Sequence, residues 1–207
     1  MTRGLRVGVF GGTFDPPHVG HVMVARQVAD RAGLDRVLWV PARISPHKLD
    51  TVPTPGPLRL EMVRAVSDLD PRFSTSTIEL DRPGPSYTVD TLRALKEENP
   101  LWTLFLILGA DQVAVLDTWK DPGDIGRMAE LLVVDREGEG PRPGRRSGTR
   151  EFRLVPVPRI DISASGIRRL VEENQSIRHM VPNAVRAIIE REQLYRGGLG
   201  VGQSVRP

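Results

Sequence analysis

Cysteine is absent from the 207 residues, which excludes a disulfide framework, a thiolate zinc site and a thiol nucleophile. Aromatic residues are scarce at 5%, and no apolar run approaches the roughly 20 residues needed to cross a bilayer. Met1-Thr2-Arg3-Gly4 leads straight into an apolar strand, without the hydrophobic segment of a signal peptide. A soluble, cytoplasmic chain with no membrane partner is therefore expected. Neither G-x-G-x-x-G nor G-x-x-x-x-G-K-[ST] occurs, so a dinucleotide fingerprint and a P-loop are both excluded. A strong charge of one sign is also missing, since 29 basic against 26 acidic residues leave only +3. Apart from Arg142 to Arg150 the basic residues are scattered, with few aromatics among them, and no nucleic-acid partner is expected.

What is present is concentrated near the start. Gly11-Gly12-Thr13-Phe14-Asp15-Pro16-Pro17-His18-Val19-Gly20-His21 follows an apolar run, Leu5 to Phe10, that reads as a buried strand. Behind it, Val22 to Ala29 can form a helix with Val22, Ala25 and Ala29 on one face. A strand, a glycine-rich loop and a helix N-terminus in that order hold phosphate, because backbone N–H groups and the helix dipole both favour an anion there. Gly11 and Gly12 let the backbone approach a ligand closely, and Pro16-Pro17 stiffens the entry to the helix. His18 and His21, three apart, share one side of a helix, and Gly20 removes a side chain that would block a flat ligand. Two imidazoles beside a helix N-terminus suit a polyphosphate.

Strands and helices then alternate. Arg36 to Val40 reads as a second strand, and a proline-rich loop runs from Pro41 to Pro57. Leu58, Met62, Val66 and Leu69 have helical spacing, so a helix is predicted over 57–69, followed by a third strand over Phe73 to Leu80. Thr88 is placed to cap a helix over 89–98, with Asp90 in its first turn. Trp102 to Leu108, the most apolar strand, is expected at the centre of the sheet. It ends at Gly109-Ala110-Asp111, and a short helix leads to Trp119-Lys120. Leu131 to Val134 and Phe152 to Val157 are the last strands, and helices are predicted over about 165–173 and 183–193. Such alternation implies an α/β fold with a parallel sheet covered by helices on both faces. One domain over 1–196 is expected, with a mobile loop at about 137–150 and a disordered tail at 197–207.

The opening stretch resembles the GxFDPxHxGH signature of the HxGH nucleotidyltransferases, matching it without a gap. A second match, Ile162-Ser163-Ala164-Ser165-Gly166-Ile167-Arg168, is similar to the family's ISSTxxR motif, with Ser165 in place of its threonine. Pro46-His47-Lys48, Ser86 to Leu92, Gly109 to Asp111 and Trp119-Lys120 make the chain look like the bacterial nicotinate mononucleotide adenylyltransferases over roughly residues 5–195. The resemblance implies a Rossmann-like nucleotidyltransferase fold and adenylyl transfer from ATP to nicotinic acid mononucleotide in NAD biosynthesis. It implies an ATP site of Gly11, Gly12, Thr13, Phe14, His18, Gly20, His21, Gly109, Asp111, Ile162, Ser163, Ser165 and Arg168. His18, His21 and Arg168 would be its catalytic members. Asp15, His47, Lys48, Thr88, Trp119 and Lys120 would bind the mononucleotide, and Mg²⁺ would arrive with ATP.

The residues themselves leave other readings open. Ser163, Ser165 and Thr88 suit plain helix caps, Asp111 is equally a cap or a ribose acceptor, and a lone Lys48 would be a solvated charge. Trp119, among polar neighbours, suits a rim plate for a pyridinium ring. The rival functions are transfer to another phosphorylated acceptor, such as phosphopantetheine, and nucleotide sensing without catalysis. Partners beyond the small-molecule substrates would be further copies of the chain.

Overall fold

The computed structural model describes residues 4–46, 52–136 and 151–196. Six apolar runs form its frame: β1 (Arg6–Gly12), β2 (Arg36–Pro41), β3 (Phe73–Thr75), β4 (Thr103–Gly109), β5 (Ala129–Arg136) and β6 (Arg153–Val157). They pair in the order β3-β2-β1-β4-β5-β6, every neighbour parallel. Parallel neighbours need crossovers, and among the described residues helices supply them: α1 (Val19–Ala32), α2 (Gly56–Ser67), α3 (Ile78–Asp81), α4 (Thr88–Glu98), α5 (Ala110–Ala114) and α6 (Pro122–Met128). Two more, α7 (Ala164–Glu172) and α8 (Asn183–Arg191), follow the sheet. Strand order reverses between β1 and β4, so their carboxyl ends flank the crevice in which doubly wound sheets bind ligands. The Rossmann-like α/β architecture is the one expected.

Alternation along the strands divides the core into two layers. Leu104, Leu106 and Leu108 of β4 join Val7 and Val9 beneath Val89, Leu92 and Leu95 of α4 and Ile125 of α6. Phe105 and Ile107 face the other way, into a layer with Trp39, Val28 of α1, Met62 of α2, Ile167 of α7 and Val185 of α8. Gly8 is required by that second layer. A Cβ there would sit 2.6 Å from Leu34 Cδ1 and 3.0 Å from Ile107 Cδ1.

The structure departs from the sequence expectations at four places. The third strand stops at Thr75 instead of continuing to Leu80. Ser76 Oγ accepts from Ile78 N at 3.3 Å and Thr77 Oγ1 donates to Asp81 Oδ2 at 2.6 Å, local bonds that bend the chain into α3. Helix α2 ends at Ser67, so Leu69 lies beyond it and is 46% exposed. The buried stripe of α2 is Arg59, Met62, Val63 and Val66, not the Leu58–Leu69 line. Tyr87, not Thr88, is the N-cap of α4, its carbonyl accepting from Asp90 N and Thr91 N. Finally, α6 starts with Pro122 in its first turn, a helix start that the sequence expectation did not include. The expectations for 137–150, 197–207, His47 and Lys48 lie outside the described residues. None of the helices among those residues is long and apolar enough to cross a membrane.

Candidate active site

Beyond Gly12, at the carboxyl end of β1, the chain turns through Phe14, whose φ is +51°. That turn drives the Phe14 ring inward, 3% exposed, edge-on to Phe10 at 5.6 Å and against Trp39 at 5.2 Å. Gly12 makes room for the ring, since a Cβ would lie 3.1 Å from it, whereas at Gly11 the missing side chain leaves open space for a ligand.

His18 is the N-cap of α1 and His21 its third residue, and the two form a capping box in which each side chain meets the other's backbone N–H. Their rings stack with centroids 3.7 Å apart. His21 Nδ1 accepts from His18 N at 3.2 Å, which requires that nitrogen to be unprotonated and places the ring proton on Nε2, a donor. The Phe14 ring, its centroid 5.3 Å from that of His21 and its plane at 80° to it, supports the stack. Gly20 serves this pair directly: a Cβ there would come within 3.0 Å of His18 Nδ1. The side chain that it lacks would displace the imidazole before it met any ligand.

The second wall is the start of α7. Ser163 caps the helix by accepting from Gly166 N at 3.1 Å, and its Oγ is 3.2 Å from that of Ser165. Both serines are exposed, while Ile162 packs against the core. One turn on, Arg168 Nη1 donates to the carbonyl of Asp15 at 2.7 Å. That bond ties the two walls together across 153 residues of chain.

Asp15 itself is 7% exposed. Oδ1 accepts from Tyr195 Oη at 2.6 Å and Oδ2 from Thr54 N at 3.0 Å. Beside it, Arg59 is 1% exposed and donates to the carbonyls of Thr54 at 2.7 Å, Thr13 at 2.8 Å and Ala42 at 2.7 Å. Burial lowers the affinity of that guanidinium for its proton, and the nearby Asp15 carboxylate and Tyr195 phenol pull it back up. Burial and the bond to Asp15 both push the Tyr195 phenol above its ordinary value, so it remains a donor. Arg59 and Tyr195 escaped the sequence reading. Arg59 had a signal, a charged residue on the apolar stripe of α2; Tyr195 had no local one.

On the other side of the crevice, Gly109 is the N-cap of α5 and Asp111 lies exposed in its first turn. A Cβ on Gly109 would strike the Asp111 carboxylate. Thr88 is the first residue of α4. Trp119 is half-buried against the α4–α6 layer. Lys120 donates to Asp90 Oδ2 at 2.9 Å and stands 5.0 Å from the centre of the Tyr87 ring. The structure thus brings His18 against His21 and Arg168 against Asp15, three residues before that histidine pair, and arrays Asp111, Thr88, Trp119 and Lys120 on elements that follow β3 and β4.

Residues 9–170 match the cytidylyltransferase-like family. A probable nicotinate-nucleotide adenylyltransferase of Rubrobacter xylanophilus is 45% identical, over 93% of this chain and 92% of its own. The chain belongs to this family. A second probable nicotinate-nucleotide adenylyltransferase, from Thermus thermophilus, is 43% identical over 93% of this chain and all of its own. Among solved structures, the nicotinic acid mononucleotide adenylyltransferase of Plasmodium falciparum complexed with NaAD superposes with a TM-score of 0.75. It covers 92% of this chain and 97% of its own, and at 18% identity it speaks for the fold alone.

Proposed function

We propose that this nicotinate-nucleotide adenylyltransferase joins ATP and nicotinic acid mononucleotide at the crevice between β1 and β4. The products are nicotinic acid adenine dinucleotide and pyrophosphate. The observation that carries the assignment to this place is the Arg168–Asp15 bond, which sets the serine-capped start of α7 beside the stacked histidines of α1. The open backbone at Gly11, the two imidazoles, Ser163, Ser165 and Arg168 then bind the ATP phosphates, with Gly109 and Asp111 on its ribose. Thr88, Trp119 and Lys120 take the mononucleotide, the indole as a plate for the pyridinium ring.

The reaction is a direct displacement. An oxygen of the mononucleotide 5′-phosphate attacks the α-phosphorus of ATP, and the bond from that phosphorus to the bridging oxygen breaks, releasing pyrophosphate. A phosphate nucleophile is already ionised at neutral pH, so no general base is needed. Positioning and charge stabilisation supply the rate. His21, with its proton on Nε2, donates to the crowded phosphate, and Arg168 keeps donors beyond the one bound to Asp15. Among the described residues no three acidic or imidazole groups stand together as a metal cage. Mg²⁺ is accordingly assigned to the ATP phosphates, a mode that needs few protein ligands.

Incubation with ATP, Mg²⁺ and either nicotinic acid or nicotinamide mononucleotide tests this. Pyrophosphate and the deamido dinucleotide are expected with the first acceptor. No pyrophosphate with either would favour a nucleotide sensor, and turnover only with phosphopantetheine would favour the rival transferase.

A further inference from the structure

After α8 the chain ends its described course in two left-handed residues, Gln193 at φ +50° and Tyr195 at φ +61°. The first has a local cause. Gln193 follows the C-cap of α8, and Leu194 N returns to Ile189 O at 3.0 Å, a usual way to close a helix. Tyr195 lies beyond that bond, in the turn that follows it. Its backbone takes a conformation that non-glycine residues rarely adopt, and the result is a phenol turned back into the crevice.

There the hydroxyl donates to Asp15 Oδ1 at 2.6 Å, the length of a charge-assisted bond. Thr54 N donates to the other carboxylate oxygen, Asp15 Oδ2, at 3.0 Å. Each oxygen of the Asp15 carboxylate thus accepts a bond from the protein, and the carbonyl of the same residue accepts from Arg168. Each of these bonds fixes Asp15 or Arg168 beside the proposed phosphate site.

We infer that Tyr195 is a positioning residue for adenylyl transfer: it locks Asp15, and through Asp15 it sets Arg168 and the Gly11–Asp15 loop in the one arrangement that meets the ATP phosphates. The inference rests on the proposed reaction. Arg168 has a flexible stem, and a guanidinium that wanders loses the pre-organisation that makes its donors effective. The bonded Asp15 carbonyl holds one edge of the fork and leaves the other for phosphate. The carbonyl stays in place only while its own side chain is pinned on both oxygens.

The test is a double-mutant cycle on kcat with Tyr195→Phe and Asp15→Asn, each rate normalised to ATP-binding sites counted by equilibrium titration. Tyr195→Phe keeps the ring and removes only the hydroxyl. It is expected to lower kcat on the order of tenfold, with KM for both substrates within about twofold. Asp15→Asn should lower kcat at least as far, and adding Tyr195→Phe to it should lower kcat no further, because both act through one bond. Wild-type kcat in Tyr195→Phe would overturn the inference, as would losses that multiply in the double variant. A Tyr195→Phe protein without countable sites would also overturn it, since the bond would then serve folding. Failure of the wild-type chain to release pyrophosphate would instead sink the reaction itself.

Discussion

Around Asp15 the crevice is held by buried, charge-assisted hydrogen bonds; beside Trp119 it is held by ion pairs open to water. Arg59, Asp15, Arg168 and Tyr195 join five separate stretches of chain, with Arg59 only 1% exposed. On the α4–α6 side, Lys120 pairs with Asp90 while their side chains are 42% and 24% exposed, and Arg93 with Asp124 at 44% and 35%. Bonds of the first kind contribute about 1.5–3 kcal/mol each, whereas exposed pairs give about 0–1 kcal/mol. The β1–α7 side, where ATP is proposed to bind, is thus built as a fixed mould, and the α4–α6 side, proposed for the acceptor, as a surface that can adjust. A polyphosphate whose α-phosphorus must be in line at the moment of attack needs the mould. A planar ring laid on an indole tolerates more.

The comparison can be tested by variants on each side. His21→Ala should lower kcat on the order of 10² to 10³-fold, as loss of one transition-state donor does, with the Kd for ATP changed only a few-fold; full turnover would take His21 out of the chemistry. Arg59→Met should cost about 3 kcal/mol or more, because three carbonyls lose a buried donor. In a chain of this size that is a Tm lower by about 6–12 °C, and a loss below about 1 kcal/mol would mean that the loops hold themselves. Trp119→Ala should raise KM for the mononucleotide about tenfold and leave KM for ATP alone. An equal rise for both substrates would break the division into two sides.

The smallest effect is expected at Glu79, 6% exposed, which accepts from Thr91 Oγ1 at 2.7 Å beneath the start of α4. Burial raises its carboxyl above the ordinary value, against the pull of Thr91, Ser86 and Arg82. An acid raised on folding costs stability as pH climbs from its unfolded to its folded value. Glu79→Gln should therefore gain on the wild type in urea unfolding as pH rises past the usual carboxylate range, and match it below. A difference that does not vary with pH would show that the three partners cancel the burial.

Legibility followed the range of the interactions. The strands, the central place of β4 and the two motifs could be read because each depends on residues within one short window. The capping box of His18 and His21 lay in the motif, although the stack itself and the direction of the His21 proton did not. Tyr195 meets Asp15 across 180 residues, and no local pattern encodes that meeting. Arg59 lay between. Its place on the stripe with Met62 and Val66 was visible, but its partners, the carbonyls of Thr13, Ala42 and Thr54, are backbone groups that leave no trace in residue type. The false extension of β3 arose from Ser76 and Thr77, whose hydroxyls redirect the chain in a stretch rich in strand-forming residues.

The capping box at α1 has one more consequence. Helix starts usually recruit serine or aspartate, with acidic residues in the first turn, and α4, α5 and α6 carry Asp90, Asp111 and Asp124 there. The first turns of α1 and α7 hold no acid, and their caps are an imidazole and a hydroxyl. The orphan N–H groups are thereby partly satisfied while the half-charge of each dipole is left unneutralised. Two helices thus meet the crevice with no acid in their first turns, and under the proposed reaction the polyphosphate is the counter-charge that completes them.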